Sequence, residues 1–199
     1  MSTPQANSIL VDANVLASQT LHSWIGLIAT ETRGLWHFYY TEDILAEALH
    51  ARRRRYPLSS SQQIEDIRSR TIKSGIKPIK NFNIDQGVTY RDKNDAHVHS
   101  AAVHARVGIL LTNNTKDFVG LYKNPDDCPY ELYTTDEFLI LAKESITAEI
   151  DSVIRRQFTY WKGRGENFSL PQKLEKAHCD EFAEYVRIRL QQIHDPATW

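Results

Sequence analysis

Residues 8–16, SILVDANVL, decide how the rest of the chain is read. Ser8 to Val11 has the apolar character of a short buried strand and stops at Asp12, after which Asn14 offers an N-cap for a helix. A lone carboxylate that follows a buried strand is costly unless it is paired, so Asp12 points to function. The pattern returns near the middle of the chain, where Ile109 to Leu111 predicts a strand and Thr112 to Asp117 the loop at its C-terminal end.

Working outward, Leu21, Trp24, Ile25 and Ile28 keep the i, i+3, i+4, i+7 spacing of a helix with one face on a core. Leu35 to Tyr40 is aromatic and predicts a second strand, its Trp36, Phe38, Tyr39 and Tyr40 read as core rather than as a base-stacking platform. Thr41 then caps a helix with Glu42 and Asp43 in its first turn and Glu47 further along. Ser59 to Ser61 opens a helix running to about Lys73, Gly75 stops it, and Ile76 to Ile79 is a weak strand. Asp92 to Asp95 leads into an alanine-rich helix that Gly108 is expected to end. A last strand is expected at Tyr130 to Tyr133, before a helix capped near Thr135.

Strands alternating with helices predict an α/β fold, a mostly parallel sheet covered by helices on both faces. Ligands in such sheets bind outside the carboxyl ends of the strands, where Asp12 and the Asp117 loop both fall. From Ser145 the pattern is helical only. Ile150, Ile154, Phe158 and Trp161 form one stripe, Gly163 to Gly165 interrupt it, and Phe182, Val186, Leu190 and Ile193 form another after the Ser169-Leu170-Pro171 start. The expected division is a sheet domain over 7–142 and an all-helical extension over 145–199.

The chain has 199 residues, 41% hydrophobic and 25% charged, with a formal net charge of −1. That balance excludes a disordered chain and a protein that coats nucleic acid indiscriminately. No apolar run approaches the roughly 18 residues that cross a bilayer, and no basic start is followed by an apolar stretch, so a cytoplasmic protein with no membrane partner is expected. Cys128 and Cys179 show no paired spacing and indicate neither a disulfide framework nor a zinc site. Positive charge is concentrated from Arg52 to Lys80, where nine Lys and Arg face two acids. Such an arm suits a polyanionic substrate, although Arg52 to Arg55 also complement the C-terminal dipole of their own helix.

Asp12, Glu47, Asp95 and Asp117 each lie at the edge of a predicted element, so the fold is able to gather them into one negative pocket. Crowded carboxylates disfavour one another's ionised forms, and a hard divalent cation offsets that cost. Among the histidines, His97, His99 and His104 lack the i, i+4 spacing of a zinc helix, and His97 reads as a packing or supporting group beside Asp95.

Taken in order, Val11-Asp12-Ala13-Asn14-Val15-Leu16, Glu47 on a Thr-capped helix, Asp95-Ala96-His97-Val98, and Thr112-Asn113-Asn114-Thr115-Lys116-Asp117-Phe118 resemble the PIN-domain family over about residues 9 to 140. The order and spacing of all four carry the resemblance. It implies a metal-dependent nuclease using Mg²⁺ or Mn²⁺, similar to the VapC-type toxins that cut RNA and are silenced by a cognate antitoxin; a homodimer is a further expectation. The helical tail resembles the extension of one subgroup. Residue by residue, the resemblance implies that Asp12, Glu47, Asp95 and Asp117 form the catalytic metal site, supported by Asn14, Thr112 and Asn114, with Arg52, Arg53, Arg54 and Arg55 on RNA phosphates. Many relatives have Asp where this chain has Asn114, so either the fourth carboxylate role falls to Asp117 or the site holds fewer metals; Lys116-Asp117-Phe118, which matches the subgroup with Asn there, favours the former. Two rivals stand beside this expectation: a non-catalytic RNA- or protein-binding module, and an aspartyl-phosphate fold, for which Asn14 replaces the second Asp usual two positions on.

Overall fold

A computed structural model describes residues 5–163 and 168–193. Its centre is a five-stranded, all-parallel sheet flanked by helices, in the order β3-β2-β1-β4-β5. Strand β1 (Gln5–Val11) lies in the middle, between β2 (His37–Tyr40) and β4 (Val107–Leu111), with β3 (Lys77–Pro78) and β5 (Glu131–Tyr133) at the edges. Ile9 pairs with Phe38 on one side and with Ile109 on the other, and Leu10 and Val11 are fully buried. Where these central strands are buried on both faces, at Ile9 to Val11 of β1 and Ile109 to Leu111 of β4, they are apolar throughout.

Local chemistry explains where most helices begin. Thr41 caps α3 (Glu42–Arg55), and Ser60 with Gln63 forms a capping box on α4 (Ser61–Lys73). Thr134, one residue before the expected position, caps α6 (Thr135–Ser145) in the same way with Glu137. The segment after β1 departs from expectation. Asp12, not Asn14, caps the short α1 (Ala13–Ala17), and Ser18 starts α2 (Gln19–Glu31). Gly108 is likewise not a helix stop. Arg106 ends α5 (Ala96–Ala105) in the left-handed conformation at φ 52°, and Gly108 lies inside β4, its N–H donating to Ser8 Oγ at 3.1 Å.

The tail forms α7 (Thr147–Lys162), α8 (Leu170–Glu175) and α9 (Asp180–Ile193). These helices share one hydrophobic core with the sheet: Ile150, Ile154, Leu174, Phe182 and Val186 are buried in the same cluster as Leu10 and Trp24. Phe182 meets Trp24 of α2 edge to face at 5.2 Å. Asp136 of α6 accepts from the amides of Glu181 and Phe182 at 3.0 Å each, closing the first turn of α9. Phe158 and Trp161 are half-buried, Leu190 is partly covered, and the expected roles of Gly165 and the Ile193 side chain lie outside the described residues, as do 164–167 and 194–199 of the expected extension. Of the aromatic run, Phe38 and Tyr40 are in the core, while Trp36 and Tyr39 are partly buried against it, Trp36 packing on Phe38 and Phe138. Among the described residues no helix is long and apolar enough to cross a membrane.

Candidate metal centre

The sheet order reverses between β1 and β4, and the loops after these strands meet there, the usual place for a ligand in an open parallel sheet. The ladder continues past the strand ends: the Asp12 amide donates to Leu111 O and the Thr112 amide to Tyr133 O, both at 3.0 Å. Asp12 and Thr112 are thereby brought side by side. Thr112 Oγ1 donates to Asp12 Oδ2 at 2.7 Å, and Asn14 Nδ2 donates to the same oxygen at 2.6 Å and to Thr112 Oγ1 at 2.9 Å. The Ala13 amide holds Asp12 Oδ1 at 2.6 Å. Asn14 Oδ1 in turn accepts from the Asn113 amide at 3.1 Å. Asn14 therefore braces Asp12 and the second loop.

Asp12 is 5% exposed, and burial raises its proton affinity against the hydrogen bonds of Thr112 and Ala13, the nearby His97 and the Asn14 hydrogen bond, all of which act the other way. Glu47, on an exposed turn of α3, is raised first by partial burial and then by the charges of Asp12, Asp95, Asp43 and Asp92. Asp95 ends the single 3-10 turn that precedes α5. Burial, then Asp12, Asp117 and Asp92, push it up from 3.8 to about 6. Asp95 Oδ2 is buried and has no hydrogen-bond partner among the described residues. An orphaned carboxylate oxygen turned among like charges is chemically suited to a hard cation.

Asp117 stands next to Asn114, whose Nδ2 donates to Asp117 Oδ2, and Arg91 Nε lies 3.8 Å from Asp117 Oδ1. The Asn114 amide is itself held by Thr112 Oγ1 at 3.1 Å. His97 Nε2 lies 3.3 Å from Glu47 Oε1; burial lowers its proton affinity, while Asp43 and Asp12 oppose that. Beside Glu47 and His97 opens a cleft of about 860 Å³, which Tyr90, Lys93 and Asn94 also line. The four carboxylates thus come from four separate segments, with Asp12 and Asp117 within electrostatic reach of Asp95, and Asp12 and Asp95 within reach of Glu47. Even so, among the described residues no three His, Cys, Asp or Glu side chains stand close enough together to hold an ion as they are placed. Joining them on one cation asks for side-chain rotation, most readily at exposed Glu47.

The arginines divide. Arg52 is partly buried and donates to Ala17 O at 3.1 Å, Arg53 donates to Ser59 O at 2.8 Å, and Arg55 lies over the Tyr56 ring. Arg54 is exposed. Sequence reasoning passed over Asp43 and Arg91 as neighbours of the site. Asp43 was legible, being four residues before Glu47 on the same helix face; Arg91, from the long segment before α5, carried no such signal.

The raised Asp95 makes a prediction. Between about pH 4 and 6 the native protein holds a proton that the unfolded chain has released, so stability falls as pH rises through this window, and the full cost is present above about 6. Asp95→Asn removes that cost. Discounted for partial exposure, the gain is about 1 to 2 kcal/mol near pH 7.5 without divalent ions, vanishing near pH 4. Urea denaturation of both proteins at the two pH values measures it, and an equal gain at both refutes the assignment.

No family model, curated protein or solved structure matches the chain.

Proposed function

We propose that the protein is a metal-dependent endoribonuclease with a PIN-like fold, hydrolysing RNA phosphodiesters and acting as the toxin of a toxin-antitoxin pair. The observation that carries this reading is the approach of Asp12, Glu47, Asp95 and Asp117 at the carboxyl edge of a parallel sheet, where burial and the charge of Asp12 raise the proton affinity of Glu47 and Asp95, and Asp95 Oδ2 is buried without a hydrogen-bond partner among the described residues. These four would hold Mg²⁺ or Mn²⁺, their oxygens being the hard donors such ions take. The bound ion supplies a lowered water pKa and positive charge for the reacting phosphate.

The rest of the work falls to the chain. Asn14 and Thr112 lock the Asp12 carboxylate in one orientation, so it need not reorganise during reaction. Asn114 fixes Asp117, and His97 steadies Glu47. The cleft beside Glu47 admits the strand, with Lys93 on its wall and the exposed Arg54 on the same helix as Glu47 available for backbone phosphates.

A second reading, a non-catalytic RNA- or protein-binding module on the same fold, is favoured by the absence, among the described residues, of three metal-binding side chains within sharing distance. Incubating the full chain with structured and single-stranded RNA in Mn²⁺, Mg²⁺ or EDTA separates the two. The nuclease gives discrete products that EDTA abolishes; a binding module retains RNA or a protein without metal-dependent product. Growth arrest on expression, relieved by the product of the neighbouring reading frame, tests the toxin role and the antitoxin partner.

A further inference from the structure

Away from the carboxylates, α2, α4, α7 and α8 enclose a cavity of about 710 Å³, within the size range of small-ligand sites. Its lining is uneven in charge. Arg52, Arg70, Lys73, Arg156 and Lys173 all contribute, and no Asp or Glu is among the described lining residues. Arg156 pairs with Glu31, which lies outside the lining, whereas Arg52, Arg70, Lys73 and Lys173 make no ion pair among the described residues. Arg70 and Arg52 also help burial push His22, on the wall, down to about 4, so this imidazole adds no charge of its own near neutrality.

The uncharged lining mixes polar side chains, among them Gln19, Ser23 and Thr30, with apolar and aromatic ones. Trp24, Leu27 and Leu170 supply apolar surface, and Tyr160 and Trp161 are neighbours on α7. Lys173 Nζ sits 3.7 Å from the Trp161 ring centroid, which places an ammonium beside an aromatic surface. Concentrated like charge in a partly enclosed space is unfavourable by itself and is relieved by an anion. Aromatic side chains add affinity for a flat ring by stacking, whatever its sequence context. Phosphate and planar ring occur together in one common ligand class.

We propose that this cavity binds a nucleoside phosphate, with Arg52, Arg70 and Lys73 on the phosphate and the Tyr160–Trp161 wall against the base. The site is separate from the carboxylate centre and does not depend on the nuclease reading. Its ligand is either a free nucleotide or one nucleotide of a strand bound elsewhere on the protein.

Fluorescence titration in EDTA, using the tryptophans that line the cavity, tests this with 5′-AMP, adenosine, inorganic phosphate and a short 2′-O-methyl RNA. 5′-AMP should saturate, while adenosine and phosphate bind at least about tenfold more weakly. The exposed pair Arg70→Gln with Lys73→Gln should lower 5′-AMP affinity at least about tenfold at an unchanged melting temperature, and Tyr160→Ala should weaken 5′-AMP but not phosphate. 5′-AMP binding as tight as the RNA identifies a free nucleotide; RNA binding more than about tenfold tighter, and lost in the double variant, identifies a strand. Phosphate binding as tightly as 5′-AMP, or 5′-AMP and RNA both indifferent to the double variant, overturns the proposal.

Discussion

Asp12→Asn is expected to lower metal-dependent RNA cleavage by about a hundredfold or more, with little change in melting temperature. The substitution keeps the side chain's shape and one acceptor oxygen, and it removes the charge whose burial raises the Asp12 proton affinity. What it takes away is an anionic oxygen for the cation and the matched acceptor for Thr112 Oγ1 and Asn14 Nδ2. An amide nitrogen in place of Oδ2 would face two donors, so the new side chain must turn its oxygen toward them and its nitrogen toward the Ala13 amide. The cost in stability is partly offset by the lost desolvation of a charge. Single-turnover cleavage with Mn²⁺ and a thermal melt on the same preparations measure both quantities. Undiminished cleavage refutes the role given to Asp12.

Phe182→Ala is expected to destabilise the whole protein by about 3 to 5 kcal/mol. The ring is fully buried, meets Trp24 at 5.2 Å and an interplanar angle of 89°, and belongs to the cluster that also contains Leu10. Its removal leaves a cavity between α9 and α2 that the Asp136 cap keeps from closing, because the amides of residues 181 and 182 stay fixed to that carboxylate. Since the tail and the sheet share one core, the loss should appear as a shift of a single cooperative transition seen equally by far-UV circular dichroism and tryptophan fluorescence. Two transitions, with the sheet melting at the wild-type temperature, would show that the tail is an independent unit.

Local chemistry made much of the framework legible. Thr41 with Glu42 and Asp43, Ser60 with Gln63, and the apolar runs at β1 and β4 announce their elements because caps and strand burial depend on residues close in sequence. The errors have long-range causes. Asn14 has the right character and place for a cap, yet its amide is drawn to Thr112, 98 residues away, and Asp12 takes the cap instead. Gly108 looks like a helix stop, but β4 needs Val107 and Gly108 in its ladder beside β1, so the left-handed turn falls on Arg106 despite the steric cost to a side chain there. Of the candidate site, the four carboxylates could be picked out one by one. The bracing of Asp12, the Arg91 neighbour of Asp117 and the turn of Arg52 into a second cavity depend on tertiary packing and have no local signature.

On the proposed reading, carboxylates distant in the chain share one hard cation. Calorimetric titration of the metal-free protein with Mn²⁺ near neutral pH tests it without reference to any substrate. Saturable binding that Asp12→Asn and Asp95→Asn each weaken by at least about tenfold is the predicted result. No Mn²⁺ binding, or binding that both variants leave unchanged, would contradict it.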